Sequence, residues 1–215
     1  MNRPNAHTHP GISLLAHFHP LAYADPDVTI GDQTRVWQFA SINRGAKIGA
    51  RCNIGACAQI DGSVIGDDTK VCYGVNMGPG FKIGNNVFLG PEVVLCNDRW
   101  PRTAHAGFDT ARFDGDNWAV IIEDGASLGV RVTVLPGVRI GRNAMIGAHT
   151  VVARDVPDNY MMVKDFMVPI ADDEAMLKKR MRFARDNSDP PYELTREHEG
   201  ILQSAGLTDA EIKQS

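Results

Sequence analysis

The densest collection of chemically able side chains lies in NDRWPRTAHAGFDTARFDGDNW, which opens at Asn97 and closes at Trp118. Three Arg, four Asp, one His, two Phe and two Trp share that stretch. The mixture suits a polar ligand that carries a flat ring, because guanidinium groups fork onto anions while aromatic faces stack. Arg99, Trp100 and Arg102 are therefore candidate substrate contacts. His105 is a candidate general base, since an imidazole titrates near neutrality and can take a proton from an attacking hydroxyl. The bland alternatives are a solvated loop histidine and an arm that grips a neighbouring subunit. Cys96 adjoins the stretch and could form an acyl-thioester, but no neighbouring histidine in the sequence is there to activate it.

Other reactive types gather at the two ends of the chain. His7, His9, His17 and His19 fall in a proline-containing lead and invite a metal reading, which the repeats that follow do not support. Arg131, Arg139, Arg142, Arg154 and Lys164 cluster late in the sequence, where forked guanidinium groups suit phosphate oxygens. His149 stands among them, beside a ligand or on an exposed corner.

The elements that must position these groups follow a six-residue rhythm. From Ile30 the chain reads IGDQTR, VWQFAS, INRGAK, IGARCN, IGACAQ, a five-residue IDGSV, then IGDDTK, VCYGVN, MGPGFK, IGNNVF and LGPEVV. The register lapses after Leu95 and returns at Ile122 as IEDGAS, LGVRVT, VLPGVR, IGRNAM, IGAHTV and VARDVP. Counting Leu95, eighteen units begin with an aliphatic residue or Met, and ten of them carry Gly second. Neither a helix nor a long amphipathic strand repeats every six residues. Short strands joined by tight corners do. The leading aliphatic should point inward with the small fifth residue beside it, and the second-position glycine is expected to take a corner conformation that a Cβ would disfavour. Three units close one triangular coil, so the expectation is an all-β solenoid of about six coils, about 29 Å long at the spacing of stacked strands.

Composition bounds the rest. The chain has 215 residues, 43% hydrophobic and 22% charged, and a net charge of -4. Those values suit a folded domain with an appendage and give no electrostatic ground for binding nucleic acid or an anionic membrane. With no run long enough to span a bilayer and no apolar leader, a cytoplasmic protein is expected. The four cysteines have neither zinc spacing nor the density of a disulfide framework, so free thiols and no metal are expected. The organisation is a lead and first coil entry over 1–29, repeats over 30–157 with an inserted loop at 97–117, and a helical tail over 158–215. Within the tail, Ala171 to Arg185 has helical spacing, and Thr208 with Glu211 suits a capping box.

The repeat resembles the hexapeptide-repeat acyltransferases, whose prism is a left-handed parallel β-helix; the hand is implied by the resemblance alone. More narrowly, TRVWQF, HPLA and LGPEVVLCNDRWPR look like the bacterial N-acetyltransferases that modify amino groups on nucleotide-linked sugars for surface polysaccharides. The resemblance implies acetyl-CoA as acyl donor, a UDP- or dTDP-linked amino sugar as acceptor, and a homotrimer with sites between adjacent prisms. It puts Asn97 and Asp98 beside the amino sugar as catalytic residues. It adds Arg35 and Trp37 as substrate contacts, and Arg131, Ala148, Arg154 and Lys164 along the coenzyme. The chain departs from that pattern twice: Pro79 stands where relatives carry an acid, and VKDFM replaces the usual exit from the last coil, although ARDVP is retained.

The resemblance also separates two chemistries. An amine near its own pKa needs alignment and a hydrogen-bond acceptor more than a strong base. The similar O-acetyltransferases use a loop histidine before proline, and here Trp100 precedes Pro101. N-transfer is the expectation. O-transfer through His105 and a non-catalytic β-helix scaffold remain the alternatives. A carbonic anhydrase of this fold would need several repeat histidines, and only His149 is present.

Overall fold

In a computed structural model, which describes residues 9–101, 113 and 117–170, the hexads become strands of two or three residues. In Arg35–Val36 and Lys70–Val71 the first residue is exposed and the second is buried. The fifth position of each hexad turns inward as well: Thr34, Ala40, Ala46, Cys52 and Ala58 are all at most 1% exposed. Two inward positions per unit give a continuous core of Ile, Val, Leu and Ala with Phe81 as its bulkiest member.

Among the described residues the strands form three sheets, and the pairings from coil to coil are parallel. One sheet carries the outward ladder His17, Arg35, Asn53, Lys70, Phe88 and Ser127. A second runs Tyr23, Ser41, Gln59, Asn76, Val94, Thr133 and Val151. The third carries Thr29, Lys47, Val64, Lys82, Ile121 and Arg139. The expected all-β parallel solenoid is therefore present.

Its stack is longer than the repeat suggests, since the second sheet alone has seven strands among the described residues. The added coil lies at the start. Ile12 bridges to Ile30, His17–Phe18 pairs with Arg35–Val36, and Tyr23–Ala24 pairs with Ser41 and Ile42. Ile12, Phe18, Ala24 and Ile30 are six apart, but Ser13, His19 and Asp25 occupy the place where other hexads carry Gly.

The expected role of the second-position glycines is corrected. None of the ten hexad glycines is in the left-handed region. The left-handed corners fall two residues later, on Gln33, Arg51, Asp68, Asn86, Glu92, Arg131, Asn143 and His149. What the glycines provide is room. A Cβ at Gly55 would lie 2.5 Å from backbone atoms of Cys72 and Tyr73, and one at Gly66 would lie 2.5 Å from Asn85 Oδ1. Through that space an Asx side chain of the following coil accepts from the coil beneath: the Ala50 N–H donates to Asp67 at 2.8 Å, the Asp67 N–H to Asn85 at 2.8 Å and the Asn85 N–H to Asp124 at 2.7 Å. Coil-to-coil closeness, not corner strain, excludes side chains there.

Buried hydroxyls tie the interior in the same direction. Thr34 Oγ1 donates to the Gly49 carbonyl at 2.8 Å and accepts from the Cys52 N–H at 2.9 Å; Thr69 does the same with Gly84 and Val87. No buried side-chain N or O among the described residues lacks a partner. By internal contacts the chain separates into Met1–Met167, which contains this stack, and Val168–Ser215. The expected helix from Ala171 to Arg185 and the Thr208 cap lie outside the described residues.

Candidate functional site

The chain leaves the prism directly after the strand Val94–Leu95, whose last tie is the Cys96 N–H to the Val134 carbonyl at 2.9 Å. Asn97 then reaches back one coil, and its Nδ2 donates to the Pro79 carbonyl at 3.0 Å. Gly78 makes that reach sterically allowed, for a Cβ there would stand 2.8 Å from the same nitrogen. With the amide nitrogen so held, the carboxamide oxygen of Asn97 is left to accept from a ligand. Asp98 is exposed, and its Oδ1 accepts the Trp100 backbone N–H at 2.8 Å, an Asx turn that orients the carboxylate at the mouth of the loop.

The hexad that carries proline instead of an acid thus contributes through its backbone. The Pro79 carbonyl orients Asn97, and the Gly80 carbonyl accepts the Ala119 N–H at 2.7 Å where the loop returns. Gly80 has φ 96°, and a Cβ on it would lie 2.7 Å from the Phe113 ring, which packs against the core. Departure and return of the insertion are both seated on Pro79–Gly80. These contacts were not legible in the sequence, although the eighteen-residue step from Pro79 to Asn97 is one coil.

Arg99 donates to the Pro136 carbonyl at 3.0 Å, so part of its guanidinium fixes the loop to the coil above. Trp100 is 72% exposed. Arg102 and His105 lie outside the described residues. Burial pushes the Cys96 thiol above its usual range, which disfavours the thiolate an acyl-cysteine step would use. All four cysteines are free thiols.

Arg35 and Trp37 occupy a different sheet from Val94–Leu95 and sit three rungs below the Phe88 coil, about 14 Å along the axis at strand spacing. They are not brought to Asn97 within this stack. The structure instead groups Arg35 with Gln33, Arg51, Asn53 and Lys70 around one hollow. Asn53 and Lys70 were missed in the sequence, where the usable signal was their position immediately before the inward Ile54 and Val71.

The late cations separate by their partners. Arg131 forms an ion pair with Glu92, and that carboxylate holds its guanidinium even more firmly charged than usual. Arg139 lies between Glu123 at 3.1 Å and Asp158 at 3.2 Å. Arg154 donates to the Asp165 carbonyl at 2.8 Å and has no carboxylate partner among the described residues. Lys164 follows an exposed Val163 at φ 53°, with its backbone N–H on Thr150 Oγ1 at 3.2 Å. Ala148 and His149 form an exposed corner, His149 at φ 59°. Among the described residues no group of three His, Cys, Asp or Glu side chains is arranged to hold a metal ion, and no helix is long and apolar enough to cross a membrane.

The family Bacterial transferase hexapeptide (six repeats) matches residues 27–62 and 119–154, the repeats on either side of the inserted loop. The bifunctional protein GlmU of Carboxydothermus hydrogenoformans is 26% identical over 177 residues, covering 66% of this chain and 40% of the relative. The chain therefore spans well under half the length of that curated relative. Two solved structures share the fold: a UDP-N-acetylglucosamine acyltransferase from Francisella novicida, at 20% identity, TM-score 0.55 and coverage of 93% and 82%, and LpxA from Bacteroides fragilis, described as a UDP-N-acetylglucosamine acyltransferase, at 14% identity, TM-score 0.58 and coverage of 92% and 80%.

Proposed function

We propose, for a chain built of bacterial transferase hexapeptide repeats, that the protein transfers the acetyl group of acetyl-CoA to the amino group of a sugar carried on UDP or dTDP. The observation that carries this reading is the Asn97–Asp98 pair, held at the loop mouth by the Pro79 carbonyl and the Trp100 N–H. Acetyl-CoA supplies an activated acyl carbon. The chain must align a neutral amine with it and accept a hydrogen bond as positive charge develops on nitrogen, which asks for oriented oxygens more than for a strong base. Asn97 Oδ1 and the Asp98 carboxylate are such oxygens. The matched family's description points to transferase chemistry, and the two solved structures that share the fold are named for a UDP-linked sugar.

At the coenzyme end, Arg154 and Lys164 fit phosphate oxygens best, because neither is neutralised by a carboxylate among the described residues. Arg131 fits less well because Glu92 already neutralises it. A homotrimer suits the exposed apolar side chains Phe39, Tyr73, Val130 and Val151, which are 40–57% exposed along the prism and would be covered by a second copy. Such packing would also supply from a neighbour the surfaces that one stack holds apart. Acetyl-CoA and nucleotide sugars are cytoplasmic metabolites, and the reading assigns the protein to that compartment.

Incubation with acetyl-CoA and a panel of 3- and 4-amino nucleotide sugars, followed by thiol release and product mass, tests this. An amide product that depends on Asn97 supports it. Failure of every amino sugar, with acetylation of a hydroxyl acceptor instead, replaces it.

A further inference from the structure

The edge that seats the inserted loop continues one coil further down. Gln59–Asp61 pairs in register with Asn76–Met77, Gln59 to Asn76 and Ile60 to Met77, so Asp61 stands directly below Gly78. Ile60 and Met77 are both buried, and the next residue of each strand therefore faces outward. Gly78 brings no side chain to that outward position. The Asn97 carboxamide enters it from above, its Nδ2 2.8 Å from where a Gly78 Cβ would be. Asp61 adjoins it from below, one strand spacing or about 4.8 Å away. A gap the size of one small polar group thus separates a carboxamide from a carboxylate.

Two contacts hold the lower edge of that gap in place. The buried Ser63 hydroxyl lies 3.1 Å from the Asp61 carbonyl and 3.0 Å from the Gly78 carbonyl, tying the two residues across the coils. A Cβ on Gly62 would sit 3.2 Å from Pro79 Cβ, so the Asp61 turn packs beneath the proline whose carbonyl holds Asn97.

The Asp61 carboxylate itself is little used. Its Oδ2 lies 3.6 Å from Arg44 Nε, beyond hydrogen-bond length, and the side chains are 32% and 61% exposed respectively. A pair so open to water contributes little and yields readily to another cation. Among the described residues no hydrogen bond reaches either Asp61 oxygen, whereas Asp25 on the same edge accepts from the Tyr23 hydroxyl and the Arg44 N–H. Asp98 adds a second carboxylate at the loop mouth. The gap is therefore suited to a group that is both positively charged and a hydrogen-bond donor.

We propose that Asp61 is a specificity-determining residue of the transfer site, holding the acceptor's ammonium in the gap over Gly78 opposite Asn97. This assignment rests on the transferase reading above. A primary amine is in large part an ammonium at neutral pH, while a hydroxyl carries no charge, so a carboxylate at this place separates the two acceptors at the binding step. The ammonium then gives one proton to water. Its nitrogen bonds to the acyl carbon, the carbon–sulfur bond breaks, and the departing sulfur takes the proton that nitrogen sheds, leaving amide and thiol.

Steady-state thiol release, and calorimetric titration without acetyl-CoA, test this on the full chain with UDP- and dTDP-linked 3- and 4-amino sugars and their hydroxyl counterparts. Wild type should bind the amino form more tightly, by a margin that shrinks as salt is raised. Asp61→Ala should raise KM and weaken binding of the amino form about tenfold or more, the range of a charge-assisted hydrogen bond, with a smaller change in kcat and none for the hydroxyl form. Asp61→Glu should recover part of the loss. Arg44→Ala breaks the same ion pair from its other side and should leave amine binding intact or tighter. Equal losses in Asp61→Ala and Arg44→Ala would make the pair structural and overturn the proposal, as would unchanged amine affinity in Asp61→Ala at wild-type melting temperature. If Asn97→Ala abolishes turnover while Asp61→Ala keeps the wild-type KM, Asp61 fails and the transferase reading stands. If no acyl transfer is found yet amine binding still depends on Asp61, the reverse holds.

Discussion

Replacing Asn97 by Asp preserves size and the acceptor oxygens but removes the N–H that donates to the Pro79 carbonyl at 3.0 Å. A carboxylate there faces a carbonyl oxygen with no proton between them, so the side chain must rotate away. The stability cost is that of one half-buried hydrogen bond, about 1 kcal/mol, which corresponds to about 2–4 °C in melting temperature for a domain of this size. The catalytic cost is larger, because the amine would lose the acceptor that aligns it; a misalignment worth at least about 1.4 kcal/mol in the transition state is tenfold in rate. Asn97→Asp and Asn97→Ala should therefore both lower kcat at least tenfold, with a melting temperature within a few degrees of wild type. Steady-state thiol release with acetyl-CoA and the best amino sugar, beside calorimetric melting, measures both. Near-normal kcat in Asn97→Asp would refute the argument that the Pro79 carbonyl orients a working residue.

Asp98→Ala should likewise lower turnover at least tenfold without loss of the fold. His105→Ala should cost less than tenfold if an amine is the nucleophile; a loss of about a hundredfold would mark a general base and favour hydroxyl acetylation. Thr34→Val leaves the Cys52 N–H and the Gly49 carbonyl unpaired in the core and should destabilise by about 1–3 kcal/mol in urea unfolding; a neutral result would show that the interior hydroxyl ties are dispensable. Folded-state carboxyl pKa values are depressed at Asp158 by the Arg142 backbone N–H and Arg139, at Asp25 by the Arg44 backbone N–H and Tyr23, and at Asp68 by Arg51. Each therefore adds stability above the unfolded carboxylate value near pH 4, which is lost as pH falls through the lower folded values. Melting temperature should drop below about pH 4, less steeply in Asp158→Asn. Sedimentation at micromolar protein should give a trimer, and an active monomer would exclude it.

The sequence by itself determined the direction of nearly every repeat side chain. A period of six with two inward positions leaves one topology able to bury Ile48, Cys52, Ile54 and Ala58 together, so the solenoid and the site of its interruption after Leu95 were legible. Tertiary structure alone decided which groups meet. Hydrophobic period encodes inside and outside, whereas partnership between coils depends on register, and the five-residue unit IDGSV makes the step from Asn53 to Lys70 seventeen residues where Arg35 to Asn53 is eighteen. The seat that Pro79–Gly80 offers to Asn97 and Phe113 is likewise a contact between coils. Glycine was misread for the same reason: a composition signal reports that a Cβ is absent, and only the neighbouring coil shows that Asn85 and Asp67 take the space it leaves.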